Sequence, residues 1–275
     1  MSSRSSALVI TTLGLAACNQ VFGSTSVEVT PVAQFDAPLD AAFACTAIGQ
    51  TPQFSPYLHQ FLARDCSFYG IAGTDAVAEC MIAGVETVVI GPLGGELVPA
   101  LGLPASGLPS TPRIAPDGQT MLGRVNPAVV EYARAGDVWS VANSNVFELG
   151  STGTPFSSIA QIGSTLRVLV LEFPEDTLAE YERANGVWSV VAQTPVEQVV
   201  GSASPALGLA LTSDGLRLVI ATDSETRYSD RPSLDAAFRP SEPLQSPAAS
   251  DVFVSDDCAR IYLSGLGSVF YAQRL

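Results

Sequence analysis

The chain has 275 residues, a formal net charge of −14 and a pI near 4.3; its 13 cations are all arginine and its one histidine is His59. Charged residues make up 15% and apolar residues 47%, with a mean hydropathy of +0.30, so the chain can bury a core and is not disordered. The acidity excludes a phosphate-neutralising nucleic-acid surface, and the lack of lysine beside a lone histidine removes P-loop, Schiff-base and His-cluster metal chemistry.

Taken in chain order, residues 1–17 read as a signal peptide. A short polar start carries Arg4, and residues 7–17 (ALVITTLGLAA) are apolar, a length that suits an exported signal and falls short of the roughly 20 residues that span a bilayer. The stretch ends in Leu15-Ala16-Ala17-Cys18, which resembles the lipobox of bacterial lipoproteins. The resemblance implies that Cys18 becomes the first mature residue and carries acyl chains such as palmitate, with residues 18–34 as a tether. An ordinary secretory signal cut after Ala17 is the alternative. Asn19 follows the cysteine where an inner-membrane protein of this kind often has aspartate, so the expected location is the outer membrane of a Gram-negative cell. Two or three acyl chains anchor stably where one does not. No later apolar run approaches 18 residues.

Setting Cys18 aside leaves Cys45, Cys66, Cys80 and Cys258. An even number in an exported chain suggests two disulfides, with three possible connectivities. Cys66 and Cys80 flank a turn near Gly73-Thr74 and would face each other across a hairpin, which leaves Cys45–Cys258 by default. Metal binding by the four is the weaker reading, because no CxxC pair exists.

The rest of the chain repeats. Residues 131–141 (EYARAGDVWSV) return at 180–190 as EYERANGVWSV, an offset of 49, and both tryptophans, Trp139 and Trp188, fall at the same place in the unit. LDAAF occurs at 39–43 and at 234–238. An Asp-Gly turn follows an apolar residue at Ala115-Pro116-Asp117-Gly118 and at Thr212-Ser213-Asp214-Gly215, with a looser copy at Ser255-Asp256-Asp257-Cys258. Repeats of 20–50 residues indicate a solenoid, propeller or array.

The local patterns are those of strands. TLAEYERA, then Asn185-Gly186, then VWSVVA predicts a hairpin around a type I′ turn, because Asn-Gly accepts positive φ. ARIYLSG followed by SVFYAQRL predicts another. Four strands per unit is the size of a β-propeller blade. Unit starts near 54, 110, 155, 207 and 251 predict an all-β ring of five four-stranded blades, with six as the alternative. The last unit lacks its fourth strand, which residues 39–49 are expected to supply, closing the ring. The units near 54 and 155 have Tyr57-Leu58-His59 and Gln161-Ile162-Gly163 where the Asp-Gly turn would stand.

On Ala115-Pro116-Asp117-Gly118, Thr212-Ser213-Asp214-Gly215-Leu216 and residues 230–238 (DRPSLDAAF), the segments resemble the PD40 (WD40-like) repeats of TolB-type propellers and of many bacterial lipoproteins. The resemblance covers roughly 35–275 and implies a single propeller domain. Its motif is structural: Asp117 and Asp214 bond nearby backbone N–H groups, and Gly118 and Gly215 take positive φ.

Candidate chemistry is sparse. His59, expected in the first strand of a blade, is read as packed or solvated. No G-x-S-x-G elbow exists. Asp223, Glu225, Asp230 and Asp235, and separately Glu172, Glu175 and Asp176, are read as solvated loop acids and not as a calcium site; neither group matches the D-x-[DN]-x-[DN]-G loop. Trp139 and Trp188 are read as blade packing. No catalytic residue, metal ligand or cofactor is assigned. The expected role is a monomeric, membrane-anchored envelope module that binds a protein or small ligand without catalysis. The alternative is a glycosidase-like hydrolase, which would need two inward carboxylates from different blades at the channel mouth.

Overall fold

The computed structural model describes residues 45–275 except 57, 63–65, 105–108, 149–155, 173–175, 202–205, 245, 247–248 and 266–267. Residues 1–17, Cys18, the tether and the first LDAAF copy lie outside the described residues. Among the described residues the chain forms five four-stranded antiparallel sheets and one short helix. Blade one is β2 (Cys66–Ala72), β3 (Asp75–Ile82), β4 (Val85–Pro92) and β5 (Val98–Pro99). Blade two is β6 (Ser110–Ile114), β7 (Thr120–Val125), β8 (Ala128–Ala135) and β9 (Val138–Glu148). Blade three is β10 (Ala160–Ile162), β11 (Thr165–Glu172), β12 (Thr177–Ala184) and β13 (Val187–Pro195), followed by α1 (Val196–Val200). Blade four is β14 (Ala206–Leu211), β15 (Arg217–Thr222), β16 (Thr226–Asp230) and β17 (Glu242–Pro243).

Blade five is built from both ends of the described chain. β18 (Asp251–Val254), β19 (Arg260–Gly265) and β20 (Ser268–Gln273) come from the C-terminus, and β1 (His59–Leu62) pairs on β20 as its outer strand. Phe54 bridges Arg274 just before it. The closing strand therefore comes from the N-terminal side, as expected, but it is His59–Leu62, while of the expected 39–49 the described residues 45–49 form no strand and 39–44 lie outside the described residues. The shift has a physical cause. Phe61 and Leu62 are fully buried against Phe68, Tyr262 and Val269, whereas residues 45–50 lie in turn and coil and are half-buried or exposed. It also moves the start of blade one from 54 to 66. His59 accordingly sits in an outermost strand and not in the first strand of a blade.

The first strands of successive blades pack around the axis, with β18 against both β14 and β2, and β2 against β6. Apolar residues on both faces of each blade produce five buried clusters, one at each blade junction. The Asn185-Gly186 turn has φ +53 and +80, as a type I′ hairpin requires, and TLAEYERA is strand β12. The repeat turns are strung together on one face of the ring. Asp117 N donates to Gln161 Oε1 (3.0 Å), Gln161 N to Ser213 O (2.9 Å) and Ser213 N to Asp256 Oδ1 (2.7 Å).

Among the described residues two disulfides are present. Cys66–Cys80 joins directly opposed residues of β2 and β3, and Cys45–Cys258 ties the segment ahead of the closing strand to the first turn of blade five. Cys258 stands where Gly118 and Gly215 stand in the other copies, and it too has positive φ, +52 against +70 and +71.

Candidate functional site

The axis of the ring holds a buried ion pair. Arg113 lies on β6 and is 2% exposed. Its Nη2 donates to Asp251 Oδ1 and Oδ2, at the start of β18, at 3.0 and 3.2 Å. The same nitrogen reaches Phe156 O at 3.3 Å, and Nη1 reaches Tyr69 O at 3.1 Å. The guanidinium carbon lies 4.9 Å from the Tyr69 ring centroid and 6.0 Å from that of Phe156. One side chain thus joins blade two to blade one, blade five and the entry to blade three. Glycine makes the room: a Cβ on Gly208 of β14 would lie 2.7 Å from Asp251 Oδ1.

Burial raises the Asp251 pKa, and the Arg113 charge and hydrogen bond oppose that rise. Among the innermost strands β2, β6, β10, β14 and β18, Asp251 is the one carboxylate. Beside it the Tyr69 hydroxyl is held well above its ordinary range, by burial first and then by the charges of Asp251 and Glu79. Glu79 on β3 is also raised by burial, although Thr111 N donates to its Oε2 at 3.2 Å. Thr111 itself has φ +50, a strained conformation for a β-branched residue.

A second set of buried carboxylates sits between blades. Glu131 on β8 and Glu180 on β12 occupy the same place in the repeat, and each is 3% exposed. Glu131 receives Arg183 Nη2 and Trp188 Nε1 from blade three, both at 3.0 Å. Glu180 receives Arg231 from the loop after β16 and Arg167 from its own blade.

The residues singled out from the sequence fall as follows. Asp117 and Asp214 accept Gln119 N and Leu216 N at 2.9 Å within their turns, and Asp257 does the same for Ala259. Trp139 is buried between blades one and two with Arg134 over its ring, and Trp188 is half-buried between blades two and three, so both pack blades together. His59 is exposed and stacks on Tyr271, with centroids 5.0 Å apart. The acids of the 223–235 segment do not converge. Glu225 pairs with Arg227, Asp230 with Arg239 and the Gly49 N–H, and Asp223 and Asp235 are exposed. Glu172 accepts hydrogen bonds from Tyr181, Thr177 and Gln193, while Glu175 lies outside the described residues. Among the described residues no three His, Cys, Asp or Glu side chains group as metal ligands do. Arg113 and Asp251 went unnoticed in the sequence. The available signal was a cation and an acid inside otherwise apolar first strands, STPRI and DVFV.

Clefts open between blades among the described residues. One, of about 350 Å³, lies between β13 and residues 234–238. Another, of about 300 Å³, lies between blade one and the β8–β9 hairpin.

The five-bladed β-propeller is the class that this architecture defines. No family model and no curated protein matches the chain. Among solved structures, it is similar to a gluconolactonase of Xanthomonas campestris at 13% identity, covering 72% of this chain and 69% of that one with a TM-score of 0.47. It is similar to a functionally unknown protein of Desulfotomaculum acetoxidans at 13% identity, 75% and 66% coverage and TM-score 0.48. A chain of a nidogen/laminin complex gives 12% identity, 71% coverage of each and TM-score 0.45.

Proposed function

We propose that this chain is a lipid-anchored lipoprotein of the cell envelope whose PD40-like propeller is a non-catalytic binding module. The observation that carries the non-catalytic part is the Arg113–Asp251 pair. Hydrolysis by paired carboxylates needs two acids about 5–10 Å apart around a bond that they can reach. Here the one carboxylate of the innermost strands is buried and has both oxygens on an arginine. The anchor rests on the signal and on Leu15-Ala16-Ala17-Cys18.

A hydrolase remains the second reading, on one observation: Glu79 and Asp251, from different blades, both act on Tyr69. Assay of the purified full chain against a panel of chromogenic glycosides separates the two. The binding-module reading expects no turnover, and turnover lost in Glu79→Gln would replace it with the hydrolase. For the anchor, Cys18→Ser should abolish labelling by radioactive palmitate and release the protein from the membrane fraction. Retention in that fraction would overturn the lipoprotein reading.

A further inference from the structure

Blade five is the one blade whose strands come from both ends of the described chain, and the segment that closes it is held by small contacts. β1 meets β20 through His59–Tyr271, Gln60–Phe270 and Leu62–Val269, with a bulge between Gln60 and Leu62. Ahead of β1, Ser55 N donates to Gln273 O at 2.7 Å and Leu275 N donates to Gln53 O at 2.9 Å. Further ahead, the chain crosses to blade four. Arg217 Nη2 donates to Thr46 O at 3.1 Å, Gly49 N to Asp230 Oδ2 at 2.5 Å and Thr51 Oγ1 to Glu242 Oε2 at 2.5 Å. These three bonds are half-buried or exposed, and a hydrogen bond of that kind contributes about 0.5–1.5 kcal/mol. A pull on the chain ahead of Thr46 meets them one after another and not together. It then reaches Phe61 and Leu62, whose burial holds the ring shut.

Cys45 stands ahead of every one of these contacts, and it is bonded to Cys258 in the β18–β19 turn. That turn is seated in the core: Cys258 is fully buried, and Val254 and Ile261 on either side of it are buried and paired with each other. At the matching turn position blades two and four have Gly118 and Gly215, whereas blade five has a cysteine that keeps the positive φ. Among these three turns, the cysteine is therefore in the blade that the far end of the chain must close.

We propose that the Cys45–Cys258 disulfide is a mechanical clamp, which passes tension on the chain ahead of Cys45 straight into the core of blade five and keeps it off the closing strand β1. The inference rests on the anchored-module reading, which supplies the tension: a module held by a membrane at one end and by a partner on its ring is pulled whenever the two move apart. The chain from Cys18 enters the ring at Cys45, so tension arriving there leaves through the sulfur to Cys258 without passing through residues 46–62. Without the bond the same tension runs along those residues, and the weak contacts near a chain end are the first to open. The bond thus does more than lower the entropy of the unfolded chain, because it decides which contacts bear a pull on the folded one.

Optical tweezers test this, with one handle at the N-terminus of the full chain and the other on a tag inserted at the exposed Asn185-Gly186 turn. The oxidised wild type should lengthen in no step before the ring yields. The double variant Cys45→Ala, Cys258→Gly should show an earlier step at lower force, a lengthening of at most about 60 Å as residues 46–62 come away. Wild type reduced in place after folding, with reduction checked by thiol labelling, should show the same step, and it gives the reading even where the variant does not fold. An early step with the bond intact, or none once the bond is cut, would overturn the proposal. The handles stand in for membrane and partner, so these outcomes are independent of the palmitate and fractionation result for Cys18→Ser, and failure here is distinguishable from failure of the anchored-module reading.

Discussion

Glu180 on β12 takes Arg231 Nη1 and Nη2 at 2.6 and 2.8 Å across the gap between the third and fourth blades. The two side chains are 4% and 2% exposed, and Arg231 Nε donates to Gly215 O, so the fork is satisfied on three sides. One junction earlier, Glu131 is held by Arg183 and Trp188. In blades two and three the EYxR motif therefore places a buried acid that the next blade neutralises. Removing one partner strands a charge in a dry junction, whereas replacing both with apolar groups need not. Arg231→Leu should cost about 3 kcal/mol in urea unfolding, moderated by Arg167, which still reaches Glu180. The double variant Glu180→Leu, Arg231→Met should recover most of that loss.

Ring closure through β1 predicts a contrast within four residues. Phe61 is fully buried and packs edge-on against Phe68 and Tyr262, while His59 is exposed on the same strand. Phe61→Ala should lower stability by about 3–4 kcal/mol, and His59→Ala by no more than about 0.5 kcal/mol. Equal effects in chemical denaturation would mean that β1 does not hold the ring shut.

Cys258 takes positive φ, where a glycine costs least. With the disulfide removed, the double variant Cys45→Ala, Cys258→Gly should be about 1 kcal/mol more stable than Cys45→Ala, Cys258→Ala, because alanine keeps the strain and glycine relieves it. Both should fall below the wild type by about 2–5 kcal/mol, since the bond closes a loop over a sequence separation of 213. Melting temperatures under matched conditions rank the three.

Glu79 has its pKa raised chiefly by burial. A carboxyl whose folded pKa lies above its unfolded one binds its proton more tightly in the fold. Its stabilising contribution is full below the unfolded value, about 4.3 for glutamate, and is lost as pH rises through the folded value. Glu79→Gln removes that titration. The melting temperature of the variant relative to the wild type should therefore rise between pH 4 and pH 8. A flat difference would show that Glu79 titrates normally.

Much of the architecture was legible because it is local. Asn185-Gly186 and the Asp-Gly pairs at 117–118 and 214–215 fix turn conformations through their own backbone preferences, and the offset of 49 between the two tryptophan units counts strands without any knowledge of contacts. The Cys66–Cys80 hairpin is legible for the same reason, a short loop with a turn at its centre. The closing strand was not, because His59-Gln60-Phe61-Leu62 is four residues with no alternation, and its strand state depends on β20, more than 200 residues away in sequence. Residues 39–49 drew the assignment instead because LDAAF repeats.

By itself the sequence determined the class of fold and the number of blades, since these depend on turn chemistry and period. Only the tertiary structure decided what the few buried charges do. Arg113 and Asp251 lie 138 residues apart and look like unrelated residues on two short strands, and ring closure alone brings them to one axis. There, low dielectric and the missing side chain of Gly208 make them a pair.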